Sequence, residues 1–478
     1  MAFNFSDMSQ QDSARVQAMR EAWDAYHGNF APPLKNRSRR GSDKVILNRC
    51  APIVDKGVSL LFGKNVDFRI GEGGDPNAQA WLDACWKANR KMAFLHKLGV
   101  TGGVTGHAFV KLLRTDGYPR MVSLDTTLMR VETAPDDVEN IQAYTIGYTA
   151  SGAQGQQIES RQCIERSVAT DDSSWQIVEQ QRVGKVWQTT TSETWPYPFS
   201  PIRQTQNLPA ANAFWGRADL TPDIIQLNHD INFVASNVSR IIRFHAHPKT
   251  YVSGLNGQRL ATGPDETLLL PEGASIGALE MHSDLSSSMN FLTALETSLD
   301  VSARIPAVAL GDLQDIPRGT ISGAAIELLY GAAIEKTASK RELYGELLED
   351  VCRCLLAMGG FDAMTPVEII WPDVLPSDKL LAAQAAQTWL GMGISKKTVF
   401  DRLGFDYDEE QQRLLAEAQD AQVLAAAYRF KSGELDDPDD DDAPDSSPDK
   451  PDSSAEDTEG DSAANQSDES ALLTTASA

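Results

Sequence analysis

Apolar residues along this chain change their spacing from one stretch to the next, and those changes divide it into regions. Asp12 to Tyr26 and Ala51 to Leu61 carry apolar residues at helical intervals and predict two helices. Between them lies a loop, APPLKNRSRRGSDK, with five basic residues. Phe62-Gly63-Lys64-Asn65-Val66 then turns the chain into a short strand. Asn77 to Asn89 is amphipathic, with Trp81, Leu82, Cys85 and Trp86 on one face. A further helix is expected to end near the glycines of GVTGGVTG. From His107 the pattern alternates, with Asp116-Gly117 as a hairpin turn, and short strands are expected as far as Trp195. Turn clusters at Ser151–Gly155 and Thr170–Ser174 separate them. The first 200 or so residues therefore predict an α+β domain.

The middle of the chain is helical at longer range. Thr221-Pro222-Asp223 is a helix start, with Thr as N-cap and Pro in the first turn. Ile224, Leu227, Ile231, Val234, Val238 and Ile241 follow at three- and four-residue spacing, and the run stops before Pro248. A helix of that length is a rod of roughly 37 Å. Short β-like runs broken by Gly and Pro come next, with a hairpin-like Leu255-Asn256-Gly257. Ser286–Ser288 cap a second helix bearing Met289, Leu292, Leu295 and Leu299, which ends at Ile305-Pro306. A Gly/Pro loop, AVALGDLQDIPRGTISG, leads into a third helix from Ala324 to Met358, with Gly331 and Gly345 as points where it can kink. Beyond Pro376, two or three more helices are expected up to Phe430. No internal repeat of fixed period is evident.

Composition sharpens this picture at the ends. The net charge is −24, yet from Glu434 onward there are 16 Asp/Glu against one Lys, so the last 45 residues hold −15 of it and the rest −9. That acidic, Ser- and Pro-rich stretch cannot bury enough apolar surface to offset its ordering entropy and is expected to be disordered. An acidic chain does not wrap DNA in a basic surface. It remains compatible with a contact along which DNA slides. No apolar run approaches the 18–20 or so residues that span a bilayer. The N-terminus lacks the pattern of a secretory signal, so a cytoplasmic site of synthesis and no membrane are expected.

Few residues suggest chemistry. The five cysteines, Cys50, Cys85, Cys163, Cys352 and Cys354, are spread out and read as buried reduced thiols. Gly99 to Gly106 is rich in glycine but lacks the G-K-[ST] ending of a phosphate-binding loop. His245 and His247, with His229 on the same helix, have no carboxylate or cysteine at metal-ligand spacing. Ser302 and Ser339 lie near basic residues, but no G-x-S-x-G elbow is present. The pair Asp312 and Asp315 is the one candidate for metal-dependent attack on a nucleic acid, in a loop without a third, strand-borne carboxylate. No catalytic residue, cofactor or resident metal is called for, and a structural protein is the expectation.

Several short patterns, in order, resemble the portal proteins of tailed phages, of the long-tailed siphophage type. They are Asn48…Val54-Asp55…Leu60-Leu61-Phe62-Gly63-Lys64-Asn65-Val66, with Asn65 where the family often has Pro, and the hairpin Gly106-His-Ala-Phe-Val…Asp116-Gly117 leading to Leu124-Asp125. Phe214-Trp215-Gly216-Arg217-Ala218-Asp219-Leu220 follows, running into Leu227…Asp230-Ile231-Asn232. Next come Ile305-Pro306 with Ser322-Gly323-Ala324-Ala325-Ile326, and last Gly393-Ile394-Ser395-Lys396-Lys397-Thr398-Val399…Leu403-Gly404.

The resemblance implies an elongated, mainly α, α+β subunit of a ring of about twelve copies. Its parts would be a wing (1–215), a stem helix (216–247), a β-rich clip (248–285), a second stem helix (286–306) and a tunnel loop (307–321). A long helix (322–358), a helical crown (359–430) and the acidic tail (431–478) would complete it. It implies double-stranded DNA in the channel, with Asp312, Gln314, Asp315 and Arg318 in the tunnel loop. Arg240, Arg243 and Lys249 would touch DNA or a neighbouring subunit. Asn256, Gln258 and Arg259 would face the terminase large subunit and later the head-completion adaptor. Major capsid and scaffold proteins are further implied partners. The place implied is the portal vertex of a virion, after assembly in the host cytoplasm, and a prophage or gene-transfer-agent particle would use the same physics.

Overall fold

The structure is a computed structural model describing residues 10–32, 34, 44–71, 74–151, 156–167, 174–246, 249–253, 275–279, 285–311, 323–375, 379–403, 405, 407 and 410–420. Helices and antiparallel sheets combine in a mixed α+β arrangement. The first layer comprises α1 (Gln10–Tyr26), α2 (Cys50–Phe62), β1 (Asp67–Ile70), α3 (Pro76–Ala88) and α4 (Lys91–Thr105). In α3, the Asp75 carboxylate accepts from the Asn77 N–H at 2.9 Å and Pro76 occupies the first turn. Its residues Ala78, Leu82, Cys85 and Trp86 are buried, and Trp86 stacks on Phe68 of β1 with ring centroids 4.3 Å apart.

The β region follows: β2 (His107–Leu113), β3 (Arg120–Ser123), β4 (Met129–Ala134), β5 (Asp137–Ser151), β6 (Gln157–Arg166), β7 (Trp175–Val183), β8 (Val186–Trp195) and β9 (Ile202–Gln206). They form a three-stranded sheet, β3-β2-β9, and a five-stranded meander from β4 to β8. Several strands are longer than the short ones expected, β5 reaching 15 residues. Alternation places Tyr144, Ile164 and Ile177 on one buried face with Phe109, Trp175 and Trp195.

Next come α5 (Pro222–Ala246), β10 (Lys249–Ser253), β11 (Ser275–Leu279), α6 (Leu285–Ala303), α7 (Gly323–Met358) and β12 (Val367–Ile370). Strands β10 and β11 pair antiparallel between the two long helices, and β12 returns to pair with β1. Helix α7 is continuous over 36 residues, about 54 Å. Its C-terminal half, with Tyr344, Leu348, Val351, Cys352 and Leu355, is the spine of the main core. A second compact unit begins at Leu380. It holds most of α8 (Lys379–Gly391) and all of α9 (Lys396–Leu403), where Arg402 lies over Trp389 at 5.0 Å.

As expected, α4 ends at the glycines of GVTGGVTG, which form its last turns, and the helix closes at Gly106 with φ +84°. Packing explains why glycines fill these turns. A side chain at Gly99 would press on Phe62 and Val58, and one at Gly103 would meet the Asp219 carboxylate at 2.9 Å. One at Gly102 would collide with the hydroxyl of Tyr344, which is fully buried and has no room to swing away. Gly102→Ala should therefore lower stability by about 1–3 kcal/mol. Gly331→Ala, in α7 with open space around it, should raise it by about 0.4–1 kcal/mol. Thermal unfolding of the two variants beside the parent checks both signs.

Candidate functional site

The distinctive feature of this chain is the long antiparallel pair α5 and α6, and the region that roots it. The root is built from Phe214 to Leu220. Phe214 stacks on the buried His107 ring at 4.8 Å, and Trp215 lies beneath the Arg15 guanidinium at 3.8 Å. Burial pulls the His107 pKa down to about 3, repulsion from Arg15 adds to this, and the hydrogen bond to Gln204 opposes it, so the ring is neutral at ordinary pH. The Arg217 N–H donates to the Leu208 carbonyl at 2.9 Å and the Asp219 N–H to that of Gly103 at 2.7 Å. This second bond brings the Asp219 carboxylate against the flat face of α4 left by Gly103.

That carboxylate is wholly buried between two lysines of α7. Lys340 Nζ lies 2.5 Å from Oδ2 and Lys336 Nζ 2.9 Å from Oδ1. Lys336 also donates to the Ala303 carbonyl at the end of α6, at 3.0 Å. One carboxylate thus ties together α4, the start of α5, the end of α6 and the middle of α7. Burial pushes the Asp219 carboxyl upward, but the charges and hydrogen bonds of Lys340 and Lys336 outweigh it and hold the group below the usual carboxylate range.

Above this root, α5 presents two faces. Ile224, Ile231, Ala235 and Val238 are buried, and the expected Leu227, Val234 and Ile241 are half-buried. On the adjacent face Asn228, Asn232 and Ser236, four residues apart, hold an extended strap, Val45–Arg49. The N–H groups of Arg49, Leu47 and Val45 donate to Asn228 Oδ1, Asn232 Oδ1 and Ser236 Oγ at 2.8, 2.7 and 2.9 Å. Asn228 and Ser236 return bonds to the carbonyls of Leu47 and Val45. The match is geometric: two residues of extended chain rise about 6.6 Å, and four of helix about 6 Å. The Arg49 side chain then crosses to α6 and grips both oxygens of Asp300 at 3.0 and 3.2 Å. In α6, Leu299 and Ala303 are buried and Leu292 and Leu295 half-buried, whereas Met289, expected on the same stripe, is exposed.

With this geometry in place, comparison with known proteins is decisive at the level of family. Residues 7–424 match the model for "Phage portal protein, SPP1 Gp6-like". This chain belongs to that portal family. Its members are structural proteins, not enzymes. No curated protein sequence matches. Among solved structures, the portal resembles a chain in the virion of a native gene transfer agent particle. The identity is 14% and the TM-score 0.43, covering 82% of this chain and 99% of that one. It also resembles a chain in the neck of a native particle of that kind computed with C12 symmetry, at 13% identity and TM-score 0.41, covering 74% and 90%.

The sequence candidates fall unevenly on this portal. Arg240 is half-buried and Arg243 exposed in the last turns of α5, and Lys249 opens β10, paired with Leu279. Asn256, Gln258 and Arg259 lie outside the described residues, as do Asp312, Gln314, Asp315, Arg318, His247 and the acidic tail. All five cysteines are buried free thiols. The roles of Asp219, Lys336 and Lys340 and the Asn228–Asn232–Ser236 row escaped the sequence reading. Their signal was polar residues at i, i+4 spacing on otherwise packed helices.

Asp219→Asn leaves two buried ammonium groups without a counter-charge and should cost about 3–5 kcal/mol near neutral pH. Because the folded carboxyl titrates low, its contribution is full above the unfolded pKa of about 3.9 and is lost as pH falls toward the folded value. The stability gap between parent and variant should therefore narrow below about pH 4, as measured by denaturation across a pH series. A gap that stayed constant would contradict a charged Asp219.

Proposed function

We propose that copies of this chain close into a ring at one vertex of a virion and pass double-stranded DNA through its centre. The reading is carried by the family match over residues 7–424, and the two long antiparallel helices with a strand pair at their far end support it. On this reading α5 and α6 are the stem, and 248–285 is the clip that meets the terminase large subunit during packaging and the head-completion adaptor afterwards. Residues 1–215 form the wing against capsid and scaffold proteins, and 359–430 the crown. The subunit assembles in the host cytoplasm and ends in the virion. A ring repeats every charge, so an acidic wall becomes successive rings of carboxylates that centre the duplex and avoid tight, salt-dependent binding. Arg240, Arg243 and Lys249 supply local cationic points for phosphate or a neighbouring subunit, and 307–321 is the loop that reaches the DNA.

No observation favours metal-dependent nuclease chemistry at Asp312 and Asp315. Negative-stain microscopy of purified chain, alone and with scaffold protein, should show rings with a central hole. Monomers under every condition would sink the reading. Asp312→Ala, Gln314→Ala and Asp315→Ala combined should leave ring yield unchanged and reduce packaged or retained DNA in assembled particles. Full packaging and retention would remove the loop from the mechanism.

A further inference from the structure

A groove of about 510 Å³ lies between α1 and the start of α5. Ala18, Met19 and Ala22 of α1 line one side, and Trp215, Leu220 and Ile225 the other. Ala18 is exposed and Trp215 and Ile225 are half-buried, so apolar surface stands uncovered at the foot of the helix pair. Two cationic side chains, Arg15 and Arg217, line it against one carboxylate, Glu21. The nine residues before α1, MAFNFSDMS, are joined directly to the helix that forms the first wall. They carry Phe3 and Phe5 two positions apart, and Asp7 is their one charged side chain.

From these observations we infer that residues 3–7 fold back along α1 and fill this groove, Phe5 beside Ala18 and Phe3 beside Ala22, with Asp7 at Arg15. The inference stands on the groove and does not depend on the ring reading. Reach permits it. Phe5 lies five residues before Gln10, roughly 16 Å of extended chain, and Ala18 lies eight residues after it, about 12 Å along the helix. Phe3 has roughly 23 Å of chain for the distance of about 18 Å to Ala22. Spacing agrees as well. Side chains two apart on an extended chain share a face about 6.6 Å apart, and positions four apart on a helix are separated by about 6 Å. Small side chains at Ala18 and Ala22 leave room for two rings, and Trp215, Leu220 and Ile225 meet them from the far wall. Asp7 and Ser9 suit the reversal that must precede α1, and Asp7 answers the cationic excess of Arg15 and Arg217.

Cysteine pairing tests the contact in the full chain. The native thiols are buried, so background oxidation and labelling are low. Under mild oxidation in dilute solution, Phe5→Cys with Ala18→Cys should close an intrachain disulfide, read by mass spectrometry of the digested protein. Neither single variant should form it. Ala18→Cys alone should react slowly with a thiol reagent, because the two rings cover it. Adding Phe3→Ser and Phe5→Ser should speed that reaction several-fold. Absence of the intrachain link, or a labelling rate untouched by the two serines, would overturn the inference. A disulfide between chains in its place would put a second copy's segment in the groove and overturn it equally.

Discussion

One buried carboxylate governs how this chain is put together. Asp219 is wholly buried, and a lone ionised carboxylate in such a place would cost many kcal/mol. Lys336 and Lys340 make its burial tolerable, and they do so only if α7 lies across the start of α5 at a fixed height. Gly103 must be bare for the carboxylate to approach α4, and Gly102 must be bare for Tyr344 to pack there. The glycine run that resembles a phosphate loop is thus the imprint of a charge cluster. Ion pairs of this type add little net stability compared with an apolar core. Their effect is on arrangement, because the three charges meet only where α4, α5 and α7 converge.

The strap extends the same logic away from the root. Ile224, Ile231, Leu299 and Ala303 tie the helix pair to the main core near its root, and its direction further along needs other contacts. Three side chains of α5 therefore hold the backbone of Val45–Arg49, and Arg49 holds α6. Since Cys50 opens α2 immediately afterwards, movement of that core helix relative to the pair would strain the bonds along the strap. Each such bond contributes only about 1 kcal/mol, but they fail together or not at all. The pair is braced at its base and along one side.

How much of this was legible depended on range. The helix over 222–246 was readable because an N-cap, a proline and a 3–4 stripe all lie within one segment, and α5 runs from Pro222 to Ala246. Helix α3 was readable for the same reason. The Asp219–Lys340 contact joins residues 121 apart, and neither residue signals it alone, since Lys336 and Lys340 look like ordinary helix-surface lysines. Strap residues Val45, Ile46 and Leu47 fell between the expected loop and the next helix without an assignment, because an extended segment bonded to side chains has no strand partner and no alternation. The glycines marked the end of α4 but not the reason for their number, because a helix normally disfavours them and only the partner packed against α4 reverses that preference.

These constraints bear on how a stem would carry load. Load applied along α5 and α6 meets helices that resist compression well but tilt easily at their ends. Tilt is opposed where charges anchor the ends, at Asp219 for α5 and at Ala303 for α6. Both anchors converge on Lys336, so the two helices would tilt as one unit about α7. At the far end only the β10–β11 pair joins them among the described residues. A root fixed by charge and a tip joined by two short strands make a lever. Any displacement of the β10–β11 pair would then reach α7 through the buried lysines.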